Sequence, residues 1–333
     1  MRLALMVGLV LLIAHTVAVQ LPQIAVASQR PSFIAPAWAF PTQVPPPGDP
    51  FPRADSVRLH RIPGVARRFT QKAAFNRFAP ADWLPQTHPP APPSVATGRR
   101  PAAIACAFCH LYNGAGRPEN ATLAGLPADY IVRQVRAFRD ATRLTANPVS
   151  RTNSMHGIAR AFTDAEVREA AAYFARLQLS RRNRVVETMQ VPRHRVAGIL
   201  YARDGEGTEP IAGRLIEMPE DFERHELHDP TVRYVTYVPP GSLARGRRLA
   251  RAGPSGIATA CSTCHGPALL GLANSPPIAG RSPQYLLRQL INLRTGARAD
   301  SGSAPMLAVA RAMSLRDMVA VAAYVGSLAP SRP

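Results

Sequence analysis

The four cysteines of this chain fall in two identical frames, Cys106-Ala107-Phe108-Cys109-His110 and Cys261-Ser262-Thr263-Cys264-His265, and none is left over. In a C-x-x-C-H frame, two thiols three positions apart lie on one turn and reach the two vinyl groups of a haem as thioethers. The adjacent imidazole then lies beneath the iron. Other chemistries also use paired cysteines. One zinc shared between the pairs would have to bridge a gap of 155 residues, long for a zinc ribbon. A redox dithiol wants βαβ surroundings, which are missing here, and disulfides need only an oxidising compartment. None of these requires a histidine after the second cysteine, twice over. The reading is therefore two covalently bound haem c groups, with Cys106, Cys109, Cys261 and Cys264 as thioether carriers and His110 and His265 as iron ligands. Thiolate ligation of a haem is excluded, because no fifth cysteine exists.

The sixth iron ligand is sought in an internal repeat. Cys106 and Cys261, Gly125 and Gly280, Tyr130 and Tyr285, and Gln134 and Gln289 share one offset of 155. Further on, Met155 and Met306, Ala159-Arg160-Ala161 and Ala310-Arg311-Ala312, and Tyr173 and Tyr324 share an offset of 151. Two copies of one unit are present, differing by four residues between the Tyr helix and the Met. Met155 and Met306 each stand 18 residues before the last Tyr of their unit. A thioether is a soft ligand that favours reduced iron and suits an electron carrier. His156 is a rival to Met155, but Leu307 takes its place in the second copy, and Met313 and Met318 lie at expected core positions.

Helices must position these groups. Ile131, Val135 and Phe138 share a helical face, as do Leu286, Leu290 and Leu293. Ser282-Pro283 reads as an N-cap with Pro at the first helical position. Thr163 to Glu166 and Ser314 to Asp317 read as capping boxes. The stripes they open are Val167, Ala170, Phe174, Leu177 and Leu315, Val319, Ala322, Val325. Tyr130, Tyr285, Tyr173 and Tyr324 are expected to pack in the core rather than serve a haem propionate.

The chain has 333 residues, 46% hydrophobic, with aromatics at only 6% and 34 prolines. The formal charge is +19, carried almost wholly by arginine, since Lys72 is the only lysine. Arg2, the apolar run Leu3 to Ala14 and the A-x-A pattern at Ala25-Val26-Ala27 read as an export signal cleaved before Ser28. The alternative is an uncleaved anchor on the periplasmic face of the inner membrane. No cysteine is near the cleavage site to carry a lipid.

Together, the two C-x-x-C-H frames, the Leu/Ile-Ala-Gly turn, the Tyr-x-x-x-Gln helix, the Met and the final Ala-Ala-Tyr helix resemble the two-domain dihaem class I cytochromes c of the bacterial periplasm. They are also similar to the dihaem subunit of sulfide-oxidising flavocytochromes. The resemblance covers residues 94–178 and 242–329. It implies a mainly α fold of two small haem domains, His/Met iron and an electron-carrier role. The expected organisation is a signal at 1–27, a Pro-rich extension at 28–93, haem domains at 94–180 and 242–333, and an acidic, β-containing insertion at 181–241. That insertion has strand-like runs at Val196–Tyr201 and Val232–Val238 and is expected to dock between the haem domains. The extension is expected to wrap the first domain, with a short helix at Thr70–Phe78 and with His60, Trp83 and His88 in packing or surface roles. One departure concerns Pro276, whose place four residues before the Gly is taken by Ala121 in the first unit. Such cytochromes often use that Pro to position a carbonyl against the proximal His, so the support of His110 is left open.

Three functions fit this reading. The leading one relays electrons from a dehydrogenase-type donor to an oxidase-side acceptor. A dihaem peroxidase needs one open iron and an acid–base group beside it, and matched Met residues oppose that. A cytochrome subunit tightly bound in a dehydrogenase complex is the third. Arg99, Arg100, Arg133, Arg136 and Arg139 in one unit, and Arg245, Arg247, Arg248, Arg288 and Arg294 in the other, are expected to attract redox proteins with acidic docking surfaces or anionic lipid. Nucleic acid is not an expected partner of an exported haem protein.

Overall fold

In the computed structural model the described residues are 33–43, 55–147, 154–254 and 259–330. The signal and cleavage readings lie outside them. The described residues from Ile34 onward form one compact unit.

The first haem unit opens with the short turn α2 (Pro93–Ala96) and the strand pair β3 (Gly98–Arg99) and β4 (Ala103–Ile104). It continues through α3 (Cys106–His110), α4 (Ala128–Arg139), α5 (Ser154–Ala161) and α6 (Asp164–Ala175). The start of α6 is fixed locally. Thr163 accepts from the Glu166 amide while Glu166 reaches back to the Thr163 amide, the predicted capping box, worth about 1 kcal/mol. Helix α6 then buries Val167, Ala170 and Phe174, and Leu177 just past its end is buried with them. Most of this stripe packs against Ile131, Leu126 and Ala107. Phe174 is 1% exposed, so its truncation would cost about 3–5 kcal/mol.

The second unit repeats the order with α8 (Ser242–Ala252), α9 (Cys261–His265), α10 (Pro283–Thr295), α11 (Ala304–Ala312) and α12 (Leu315–Ser327). Ser282 caps α10 by accepting from the Tyr285 amide, and Ser314 and Asp317 form the second capping box. The buried face of α10 is centred on Leu287, Leu290 and Ile291, with Leu286 only half-buried. This turns it from the expected Leu286 stripe, because α10 is also covered by the β-region described next. Helix α8 has grown where the first unit has only α2. Its Gly246 allows close approach to α12, where a Cβ would fall 2.1 Å from the Ala320 carbonyl oxygen.

Between the units lie β5 (Asn183–Glu187), β6 (Gln190–Ala197), β7 (Leu200–Pro210), β8 (Ile216–Pro219), α7 (Phe222–Glu226) and β9 (Tyr234–Val238). Strand β9 pairs parallel with β5 and antiparallel with β8. Val196–Tyr201 is not one strand. It is the tip of the β6–β7 hairpin, in which Ala197 faces Leu200 and Gly198 takes the turn at φ 61°, a left-handed position that glycine fills without strain. Alternation alone does not reveal such a reversal.

The segment before the first unit carries a small hairpin and a short helix. Strands β1 (Leu59–His60) and β2 (Phe69–Thr70) pair, and Thr70 caps α1 (Gln71–Ala74). The helix expected over Thr70–Phe78 stops at Ala74, because the Asn76 side chain accepts from the Phe78 amide and offers the backbone a turn instead. Trp83 is 1% exposed and donates through Nε1 to the Leu227 carbonyl at 2.9 Å. His60 meets Glu223 at 3.2 Å and His88 meets Asp82 at 3.2 Å.

Candidate functional site

Both C-x-x-C-H frames form a single helical turn, α3 and α9, ended by backbone at φ 61° (Leu111) and 81° (Gly266). The chain then loops out and is pinned back, Gly116 donating to the His110 carbonyl and Gly271 to the His265 carbonyl at 3.0 and 2.9 Å. This loop returns a carbonyl to each ring. His110 Nδ1 lies 2.7 Å from the Ala121 oxygen and His265 Nδ1 lies 2.8 Å from the Pro276 oxygen. A carbonyl only accepts, so Nδ1 carries the proton and the Nε2 lone pair is free, as an iron ligand requires. The question raised by Ala121 is thereby answered. The acceptor is a backbone oxygen that any residue supplies, and Pro276 differs by stiffness.

Burial pushes the His110 imidazole down to about 4, against the pull of the Ala121 bond, and lowers His265 for the same reason. Both rings are neutral donors. Burial also pushes the Cys106 thiol up to about 12 and raises Cys109 and Cys261, so the pockets favour an uncharged sulfur. All four cysteines are free of disulfides. Among the described residues, no group of three or more His, Cys, Asp and Glu converges to hold a metal ion. Two same-turn thiols beside an imidazole with its Nε2 available form a donor set that fits a tethered haem.

Met155 lies on α5 and Met306 on α11, both half-buried. The rival His156 is engaged, its Nε2 3.0 Å from the Arg143 carbonyl. Met313 and Met318 are 1% and 0% exposed, Met318 within α12 and Met313 capping the end of α11.

A cross-brace links the two units. Arg143 donates to Gln134 of its own unit at 2.6 Å and to Tyr285 and Gln289 of the other at 2.9 and 3.2 Å. Arg298 donates to Gln289 of its own unit at 3.1 Å and to Tyr130 and Gln134 of the other at 3.1 and 3.0 Å. The backbones of Arg143 and Arg298 form an antiparallel bridge. Tyr130 and Tyr285 are thus hydrogen-bonded at the junction rather than simply packed. Burial opposes ionisation of Tyr130, yet Arg298 and Arg143 bring its pKa below the usual value. The sequence held one signal for this brace: Arg143 and Arg298 keep the 155 offset of the repeat.

Three more arginines hold the loop that supports His110. Arg281 donates to the carbonyls of Thr122 and Ala124 at 2.8 and 3.2 Å, and to Pro277 of its own unit at 2.6 Å. Arg182 donates to Gly116 at 2.9 Å, and Arg288 donates to Pro118. No sequence pattern marked Arg182 or Arg281, and Arg288, expected on the partner-facing surface, is instead half-buried and committed to the Pro118 carbonyl. The predicted basic face is correspondingly smaller. Arg99 pairs with Glu166, Arg139 with Asp164, Arg245 with Asp317, and Arg294 donates to the Arg311 carbonyl. Arg100, Arg133, Arg136, Arg247 and Arg248 are exposed. Three acids of the insertion are also committed: Glu217 accepts from Ser282 and Gln284 of the second unit, Asp229 pairs with Arg224, and Asp221 caps α7.

No family model matches the chain. Over 234 residues it is 30% identical to a thiosulfate dehydrogenase electron acceptor from Stutzerimonas stutzeri (strain A1501), across 69% of this chain and 82% of that one. A protein of the same name from Thiomonas intermedia (strain K12) is 27% identical over 239 residues, across 70% and 83%. Cytochrome c4 of Pseudomonas aeruginosa is 23% identical over 239 residues, across 70% and 88%. The solved structure of reduced recombinant cytochrome c4 from Pseudomonas stutzeri has 22% identity and a TM-score of 0.44, and the overlap covers 67% of this chain and 93% of that one.

Proposed function

This chain belongs to the dihaem class I c-type cytochromes, and from that we propose the residues that hold its two haems and the reaction that feeds them. The protein is a dihaem electron carrier. Cys106 with Cys109, and Cys261 with Cys264, are the tethers. His110 and His265 are the proximal ligands, and Met155 and Met306 supply the sixth. The observation that carries this reading is the duplicated imidazole, buried, neutral and held through Nδ1 by a carbonyl in both units.

Each bound haem supplies a reversible one-electron couple. The chain's residues fix the environment of that couple. The carbonyls of Ala121 and Pro276 hold the rings in one tautomer. The buried guanidinium groups of Arg143 and Arg298, with Asp300 nearby at 3.5 Å from Arg298, leave positive charge at the junction that suits haem propionates.

The names of two relatives support a donor. We assign the chain as an acceptor of electrons from a thiosulfate-oxidising dehydrogenase, exported to the periplasm and working either as a free carrier or as a lasting subunit. Among the described residues no helix is long and apolar enough to cross a membrane. The test is stopped-flow mixing of the oxidised holoprotein with a purified thiosulfate dehydrogenase and thiosulfate. Rapid reduction of both haems is expected, and retention on the dehydrogenase through gel filtration would identify a subunit. Reduction no faster than with thiosulfate alone would remove the assignment of donor. Turnover of hydrogen peroxide by the wild type would instead favour the peroxidase.

A further inference from the structure

The repeat allows the surroundings of the two attachment motifs to be matched position by position. In the first unit Phe108, Cys109, Asn113 and Arg117 are half-buried and Pro118 is buried. Their counterparts Thr263, Cys264, Ala268, Leu272 and Ala273 are all exposed, Leu272 at 54%. The cover over the first rim comes from outside its unit. The His228 ring lies against Phe108 with centroids 5.3 Å apart, and Phe75 lies 5.1 Å from the same imidazole. The Asn113 amide donates to the Pro230 carbonyl at 3.3 Å, and Ala105 donates to the Arg77 carbonyl at 2.9 Å. His228 sits at φ 57°, is 3% exposed and has neither ring nitrogen hydrogen-bonded. A non-glycine residue in that backbone region is strained, and an unpaired buried imidazole is unfavourable. No polar partner accounts for its place, whereas its aromatic contacts with Phe108 and Phe75 do.

Among the described residues the second rim is left open, and its chemistry is one-sided. Leu272, Ala268 and Ala273 give it an apolar centre, and an exposed apolar centre rimmed by polar residues marks a contact site. From Ser242 to Asn274 the sequence holds Arg245, Arg247, Arg248 and Arg251 and no acid. Arg247, Arg248 and Arg251 are exposed on α8, which packs beside α9. This charge is the complement of a protein that carries carboxylates around an apolar face.

We propose that the rim around Cys264 and Leu272, flanked by Arg247, Arg248 and Arg251, is the single port through which both haems exchange electrons with an acidic redox protein. The insertion and the segment before the first unit partly cover the other rim. The proposal rests on the electron-carrier reading and goes beyond it in naming one entrance. An electron bound for the first unit enters at the second and crosses the Arg143–Arg298 brace. With haem bound, each transfer would oxidise the acidic donor by one electron, reduce one ferric centre to ferrous and change no bond of the chain.

The probe is fully reduced flavodoxin, an acidic one-electron donor, mixed with the oxidised holoprotein at low ionic strength. Leu272→Glu with Asn274→Glu should slow reduction about tenfold, with both halves of the absorbance change slowed together. Arg100→Glu with Arg133→Glu, on the first unit, should change the rate less than twofold. Reduction by dithionite and the two-haem pyridine haemochromogen should be unaltered in every variant. Half of the absorbance change persisting at the wild-type rate would show a second entrance and overturn the proposal, as would slowing by the first-unit pair alone. Loss of binding to anionic phospholipid vesicles with flavodoxin rates unchanged would make the rim a lipid contact and overturn it too. A wild-type chain without two covalent haems would instead break the functional reading beneath.

Discussion

The two haem units hold the same imidazole by different means. In the second, Pro276 presents its carbonyl to His265 from a loop stiffened by Pro276 and Pro277. In the first, Ala121 presents the carbonyl, and the loop around it is gripped by Arg182, Arg281 and Arg288 from outside the unit. One copy stiffens itself through its own covalent geometry, and the other borrows rigidity from its neighbours. A duplicated unit can delegate in this way because its partner is always present on the same chain. The cost is that the first site depends on the assembly of the whole molecule.

The comparison can be broken most severely at the tethers. Changing Cys106 and Cys109 to Ser should leave one haem per chain after acid–acetone extraction, as should the same change at Cys261 and Cys264. Two covalent haems in either double variant would end the equivalence of the motifs.

Next come the sixth ligands. Met155→Ala and Met306→Ala should each remove about half of the near-infrared sulfur-to-iron band of the oxidised protein. A band that survives one substitution whole would show that its unit uses another ligand.

The supports should then differ in size. Arg281→Met strands three carbonyls and should destabilise the protein by about 2–4 kcal/mol in guanidinium unfolding. It should also shift the reduction potential of the first haem more than that of the second. Pro276→Ala keeps the oxygen and should cost about 1 kcal/mol or less. Equal shifts of both potentials in Arg281→Met would refute the delegation.

A further effect is the pH dependence of the seam between insertion and second unit. Burial pushes the Glu217 carboxyl up to about 7, against the bonds from Gln284 and Ser282. Its folded pKa is above its unfolded value near 4.5, so its contribution is complete below about 4.5 and is lost as pH rises through about 7. Up to about 3 kcal/mol is at stake. His225 is lowered to about 4 by burial and changes stability in the opposite sense at lower pH. The measurement is therefore the difference between wild type and Glu217→Gln, which should show the wild type losing ground from pH 5 to 8. A constant difference would mean that Glu217 stays in one ionisation state.

The sequence by itself determined most of what depends on near neighbours in the chain. Thiol spacing and the adjacent histidine follow from one helical turn. Capping boxes at Thr163 and Ser314 follow from side chains that reach three residues along. The helical stripe of α6 follows from the 3.6-residue period, and the repeat follows from direct comparison of two segments. What the tertiary structure decided depends on groups far apart in sequence. Arg281 reaches Thr122 and Ala124, Arg143 crosses to Tyr285, and His228 covers Phe108. A long cationic side chain in a sequence looks the same whether it is solvated or buried against carbonyls, because its partners are set by packing. The Val196–Tyr201 reversal and the early stop of α1 were missed for a related reason: a turn at Gly198 or Asn76 competes with regular structure by a margin that surroundings settle. Local chemistry thus fixed what each unit binds. Packing decided how each is held, and why two equal motifs meet the solvent so unequally.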